Sequence, residues 1–191
     1  MLDTKGPEYR IKTFENKKIT LEDGDEFIFT TDDVVGDQTK VSVSYKGLIK
    51  DLRVGDTVMV NNGLVIFEVE RLEGANAYCR VVHGGVLSDK KSMNFPNRVM
   101  AQEFLSKQDK EDLLFGIAND VDFVAASFVS TKKDVIAMRK FLDDNGGKNI
   151  DIIAKIENRS GVDNIEEICE VANGIMVARG DLGVEIPFVE V

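Results

Sequence analysis

From Ser106 to Asp181 the chain passes three times through one pattern, a helix start followed by a short apolar run. This repetition limits the fold more than any other feature. Ser106-Lys107-Gln108-Asp109, Thr131-Lys132-Lys133-Asp134 and Ser160-Gly161-Val162-Asp163 share the S/T-x-x-D spacing. A hydroxyl and a carboxylate so placed satisfy the free amides of a first helical turn. Behind each start the apolar residues recur at helical spacing: Leu113, Leu114, Ile117 and Ala118; then Val135, Met138, Phe141 and Leu142; then Val162, Ile165, Ile168, Cys169 and Ala172. Gly146-Gly147 and Asn173-Gly174 supply stops. The runs Val121 to Val129, Ile152 to Ile156 and Ile175 to Ala178 read as the intervening strands, and short connections make these parallel βα units. Three such units cannot close an eight-stranded barrel, which needs about 250 residues. The chain therefore reads as an incomplete barrel, a piece of a larger gene product.

Before Pro96 the period is two. Lys18 to Leu21, Glu26 to Thr30, Lys40 to Tyr45, Asp56 to Val60, Leu64 to Val69 and Ala77 to Val82 are short β-type runs divided by turn residues. Asn61-Asn62-Gly63 is a hairpin signal between two of them. Strands of this length and spacing predict a small antiparallel barrel or sandwich. His83, the only histidine, ends the last run without a second histidine or cysteine nearby, and reads as structural.

A net charge of -10 with no basic patch argues against a nucleic-acid backbone as partner. No apolar run reaches the ~18 residues of a membrane span, and Met1-Leu2-Asp3-Thr4-Lys5-Gly6 does not open a signal peptide. Cys79 and Cys169 lie far apart among apolar residues, so both are expected to be buried free thiols in a reducing cytoplasm.

Chemistry is expected where charge interrupts the apolar runs. In a strand, Ile153, Lys155 and Glu157 project from one face, while Ile152, Ala154 and Ile156 project from the other. The following run ends in Arg179-Gly180-Asp181. Both place charges at the C-terminal end of a predicted strand, the end at which parallel α/β folds carry out chemistry. A structural ion pair is the alternative for Lys155 and Glu157 alone. Asp181, at the matching place on the next strand, argues for a site. Two carboxylates there suit one hard divalent ion, since magnesium takes only one or two from a protein.

Leu2-Asp3-Thr4-Lys5-Gly6-Pro7-Glu8, Ile153-Ala154-Lys155-Ile156-Glu157-Asn158 and Met176 through Pro187 together resemble pyruvate kinase. Lys90 through Pro96 and Asp122 through Val129 fit the same pattern, so the resemblance spans the chain. It implies a (β/α)8 barrel with a small β-barrel lid inserted after the third strand. Residues 1–6 would be that strand, 7–95 the lid, and 96–191 the partial barrel with strands four to six. The implied reaction is phosphoryl transfer from phosphoenolpyruvate to ADP, giving pyruvate and ATP in glycolysis, in a cytoplasmic enzyme whose full-length relatives are typically homotetramers. By the same resemblance Glu157 and Asp181 hold Mg2+ (or Mn2+), and Lys155 is catalytic and faces the phosphoryl group. Ser127, Arg179, Gly180 and Asp181 line the substrate pocket, Arg10 and Lys91 reach the nucleotide phosphates, and Asp3 and Thr4 hold K+. Taken alone, Lys91 would read as a solvated charge.

The chain departs from the family pattern in three places. Asn61-Asn62 stand where two aspartates are usual, Tyr9 where isoleucine is, and Phe95-Pro96-Asn97 where Leu-Pro-Gly is. The family's first two strands, which complete the potassium site, and a threonine used in proton transfer fall outside this sequence. The isolated chain is accordingly expected to have little turnover. Two alternatives are a metal-dependent enolate enzyme of another barrel family, which would lack the β-rich insertion, and a non-catalytic nucleotide- or metal-binding remnant.

Overall fold

The computed structural model describes residues 1–96, 98 and 100–191. Asn97, part of one departure from the family pattern, lies outside the described residues. The strands in chain order are β1 (Leu2–Asp3), β2 (Tyr9–Arg10), β3 (Lys18–Leu21), β4 (Glu26–Thr30), β5 (Lys40–Ser42), β6 (Thr57–Val60), β7 (Val65–Glu73), β8 (Asn76–His83), β9 (Gly85–Ser88), β10 (Ser92–Asn94), β11 (Phe123–Ala126), β12 (Asp151–Ile156) and β13 (Gly174–Val177). The helices are α1 (Leu48–Asp51), α2 (Lys107–Ala118), α3 (Lys132–Asp144), α4 (Arg159–Asp163), α5 (Ile165–Cys169) and α6 (Arg179–Glu185). They form two compact units, one of Met1–Pro7 with Glu103–Val191, the other of Glu8–Gln102.

The first unit is α/β. Its sheet has the order β1-β11-β12-β13, with every neighbouring pair parallel. Burial alternates along β12, so Ile152, Ala154 and Ile156 enter a core with Val135, Met138 and Leu142 of α3. The edge strand β13 is different: Ile175 and Val177 of its apolar run are exposed. Two helix starts are as the sequence predicts. Ser106 caps α2 through the Asp109 N–H, and Asp109 accepts from the Ser106 N–H. At α3, Asp134 reaches back to accept from the Thr131 and Ser130 N–H groups.

The third start differs. Asn158, not Ser160, is the cap, its side chain accepting from the Gly161 N–H at 2.8 Å. The single helix expected over Val162 to Ala172 is broken at Asn164 into α4 and α5, where the Asn164 amide donates to the Ser130 and Ser160 carbonyls. A short α5 turns Ile168 inward and Cys169 outward, so Cys169 is exposed rather than buried.

The second unit is β-rich. A seven-stranded sheet runs β2-β10-β6-β7-β8-β4-β5, and β3 pairs with β9 alongside it. Its edge strands meet: Ile11 bridges Val43, the Ser44 N–H reaches the Arg10 carbonyl and the Lys12 N–H reaches that of Ser42. The sheet thus curls onto itself, which satisfies backbone groups that an open edge would leave unpaired. Phe27, Phe29 and Phe67, fully buried and in mutual ring contact, fill the interior. One pairing, β4 with β5, is parallel, against the all-antiparallel expectation. The strands β2, β9 and β10 add to the six runs read from sequence, and β9 opens at Gly85, just beyond the last of those runs. At Asn61-Asn62-Gly63 all three residues have left-handed φ, and the Leu64 N–H closes the turn on the Asn61 carbonyl. Among the described residues, no helix is long and apolar enough to cross a membrane.

Candidate active site

Parallel pairing brings the C-terminal ends of β1, β11, β12 and β13 to one rim of the first unit's sheet. The register sets Asp3 beside Ala125, Ala125 beside Ile153, and Lys155 beside Met176. Thus Asp3-Thr4, Ser127, Lys155-Glu157 and Ala178 through Asp181 lie at or just beyond the strand ends on this rim.

Lys155 is the centre of the cluster. Its Nζ donates to the Ser127 Oγ at 2.8 Å and lies 3.2 Å from both Asp3 Oδ1 and Glu157 Oε1. The Ser127 hydroxyl donates to Asp3 Oδ1 at 3.2 Å. The Ser127 N–H donates to Thr4 Oγ1 at 3.1 Å, and the buried Thr4 donates from its backbone and hydroxyl to the Ala125 carbonyl. The Lys155 side chain is 13% exposed, whereas that of Asp3 is 64% exposed.

Burial opposes the Lys155 charge, but the Glu157 and Asp3 carboxylates outweigh it and raise the pKa above the usual lysine value. Glu157 is 1% exposed. Its burial raises its pKa, the Phe128 N–H and Lys155 partly offset that, and the Asp181 charge pushes it higher. Glu157 and Asp181 are thus close enough to feel one another, although no hydrogen bond links them.

Two carboxylates that repel each other at a strand-end rim are a donor set that a divalent ion relieves, and magnesium accepts so small a protein share. Among the described residues, no group of three or more His, Cys, Asp or Glu side chains is placed to hold a metal. Arg179, Gly180 and Asp181 form the exposed first turn of α6, apart from the hydrogen-bonded cluster.

Arg10 and Lys91 belong to the second unit, on chain segments that pair there. The Arg10 guanidinium donates to the Lys90 carbonyl at 2.6 Å and is ion-paired with Glu8, and the Lys91 carbonyl accepts from the Ile11 N–H.

Two participants escape sequence reasoning. The Phe128 N–H donates to Glu157 Oε2 at 2.6 Å, which depends on a backbone conformation with no sequence signature. Asp109 is readable as a cap, but not as the group whose Oδ1 also accepts the Gly6 N–H at 3.0 Å.

The family sequence model described as "Pyruvate kinase, barrel domain" matches residues 1–191. A pyruvate kinase of Clostridium acetobutylicum is 49% identical over 187 residues, 97% of this chain and 40% of that protein. One of Clostridium perfringens is 47% identical over 188 residues, 98% of this chain and 40% of that protein. One of Bacillus licheniformis is 46% identical over 193 residues, 100% of this chain and 33% of that protein. The chain thus spans well under half the length of these relatives.

Proposed function

Because this chain belongs to the pyruvate kinase family, we propose that it supplies part of an active site transferring a phosphoryl group from phosphoenolpyruvate to ADP. The observation that carries this reading is Lys155 bound at once to Asp3, Ser127 and Glu157 where three adjacent parallel strands end.

Phosphoryl transfer between oxygens needs alignment and neutralised charge more than covalent help. Lys155 brings a fixed ammonium to the rim, suited to the transferring phosphoryl group and to the enolate oxygen left behind. Ser127 and Asp3 aim that ammonium. Glu157 and Asp181 would hold Mg2+ or Mn2+, which when bound offsets the phosphoryl oxygens' charge. Asp3 and the Thr4 carbonyl would serve a monovalent cation such as K+. Arg179, Gly180 and Asp181 present backbone N–H groups to the substrate carboxylate. In the second unit, read as the lid, Arg10 and Lys91 meet the nucleotide phosphates. On this reading β1, β11, β12 and β13 are barrel strands three to six.

The test is calorimetry on the 191-residue chain with Mn2+, phosphoenolpyruvate and ADP, beside a coupled assay for ATP. Phosphoenolpyruvate binding that requires the metal and is lost in Glu157→Gln is expected, with little turnover. Nucleotide binding without metal-dependent phosphoenolpyruvate binding would favour a non-catalytic module. Robust magnesium-dependent ATP formation would refute the expected inactivity of the isolated chain.

A further inference from the structure

Phe128 has φ +56°, in the left-handed region, where a bulky side chain is an outlier and Gly or Asn is usual. It sits between Ala126, the last residue of β11, and Lys132, the first of α3. Such a conformation persists only when its surroundings over-determine it, and here they do. On one side the Ser127 N–H is fixed to the buried Thr4 hydroxyl at 3.1 Å. On the other, the Ser130 hydroxyl accepts from Asn158 Nδ2 at 2.9 Å, its carbonyl accepts from Asn164 Nδ2 at 3.0 Å, and its N–H donates to Asp134 at 3.0 Å. Gly161 completes the seat: a Cβ there would come within 2.7 Å of the Val129 carbonyl oxygen.

The result of this bracing is one short bond, Phe128 N–H to Glu157 Oε2 at 2.6 Å. Oε1 of the same carboxylate lies 3.2 Å from Lys155 Nζ. Each oxygen therefore has its own partner, and the carboxylate cannot rotate without losing one.

We infer that the left-handed turn at Phe128 is a positioning element, which fixes the Glu157 carboxylate through a single backbone N–H and keeps its other oxygen on the Lys155 side. Phe128 acts through Glu157 and touches no substrate. What the carboxylate is held for, a divalent cation, rests on the function proposed above. The break at Asn164 acquires a purpose as well, because the side chain freed there is one of the braces.

The test is a series at one position, Phe128→Gly, Phe128→Ala and Phe128→Val, in the full chain. All three remove the ring and keep the N–H, and they differ in their tolerance of positive φ. Mn2+ affinity is read from water-proton relaxation. Glycine is expected to stay within about twofold of the parent and valine to lose about tenfold or more, as when a group orienting a metal ligand is removed, with alanine between. A role of the ring in packing would reverse this order; the reversed order overturns the inference, and so do equal affinities across the series when Glu157→Gln itself weakens Mn2+ binding.

The amide proton of Phe128, followed by NMR, gives a second measurement that needs neither metal nor a folded valine variant. Glu157→Gln is expected to move it upfield as the charged acceptor is lost, and an unmoved resonance overturns the inference. Mn2+ binding unchanged by Glu157→Gln, alongside a displaced amide resonance, would sink the metal reading and leave the positioning role standing.

Discussion

Replacing Lys155 by methionine leaves a side chain of similar reach and removes the charge that faces buried Glu157. At the observed 3.2 Å and an effective dielectric of about 20, the lost attraction is about 5 kcal/mol. Two effects reduce it. Methionine lacks the desolvation cost of the ammonium, and Glu157 keeps the Phe128 N–H. The expected loss of stability is about 3 kcal/mol at about pH 8, the lower end for breaking a buried pair.

The loss depends on pH, and its sign follows from Glu157. Its pKa in the folded chain already lies above the ordinary 4.5, and removing Lys155 raises it further. The folded variant then binds this proton more tightly than the unfolded chain does. Stability is greatest below the unfolded pKa and falls as pH rises through the folded one. The deficit should therefore shrink towards about pH 5 and be complete only above the variant's folded pKa. Urea unfolding followed by circular dichroism measures it. Tyrosine fluorescence follows the second unit separately, because Tyr9, Tyr45 and Tyr78 all lie in it. The double variant Lys155→Met/Glu157→Gln should recover to within about 1 kcal/mol of the parent, since no buried charge is left unpaired. An equal deficit at both pH values, or a double variant no better than the single, would refute the reasoning.

Asp109→Ala removes the acceptor for Gly6 and Ser106 together. It should cost about 2–3 kcal/mol and speed hydrogen exchange at the Gly6 amide, with Asp109→Asn losing less. Burial pushes the Cys79 thiol up to about 12, whereas Cys169 is exposed. A thiol reagent at neutral pH should modify Cys169 in the folded chain and Cys79 only after unfolding. Asn62 has φ +56° and accepts from the Ser92 hydroxyl. Asn62→Val should cost the second unit about 1–2 kcal/mol, seen by tyrosine fluorescence, while Asn62→Gly should be tolerated better.

Periodicity exposed the architecture because it is written in local spacing. The alternation Ile152, Ala154, Ile156 against Ile153 and Lys155 is a property of β12 by itself, and it survives in the fold. Capping by Ser106 and Asp109 is likewise contained in four residues. What escaped depends on partners distant in sequence. Ser160 carries the same local signal as Ser106, yet Asn158 took the cap, because its amide also binds the Ser130 hydroxyl. The exposure of Cys169 followed from the break at Asn164, itself drawn to the Ser130 carbonyl. The residues of the Lys155 cluster could be nominated from strand ends and family resemblance, but the link from Phe128 to Glu157 required backbone coordinates. The close approach of Gly84, between β8 and β9, to the backbone of Leu21 and Glu22 is likewise a contact between residues distant in sequence.

The pairing of β1 with β11 has a consequence for assembly. Thr4 meets Ala125 across 121 positions, and closing a free loop of that length costs about 4 kcal/mol of chain entropy beyond its fixed part. Most of that intervening chain is the Glu8–Gln102 unit, which has a core of its own. Once it has collapsed, little loose chain remains to be gathered. Asp3 should therefore reach Lys155 late in refolding, after the β-rich unit is in place, and the charge cluster would be among the last parts of the molecule to form.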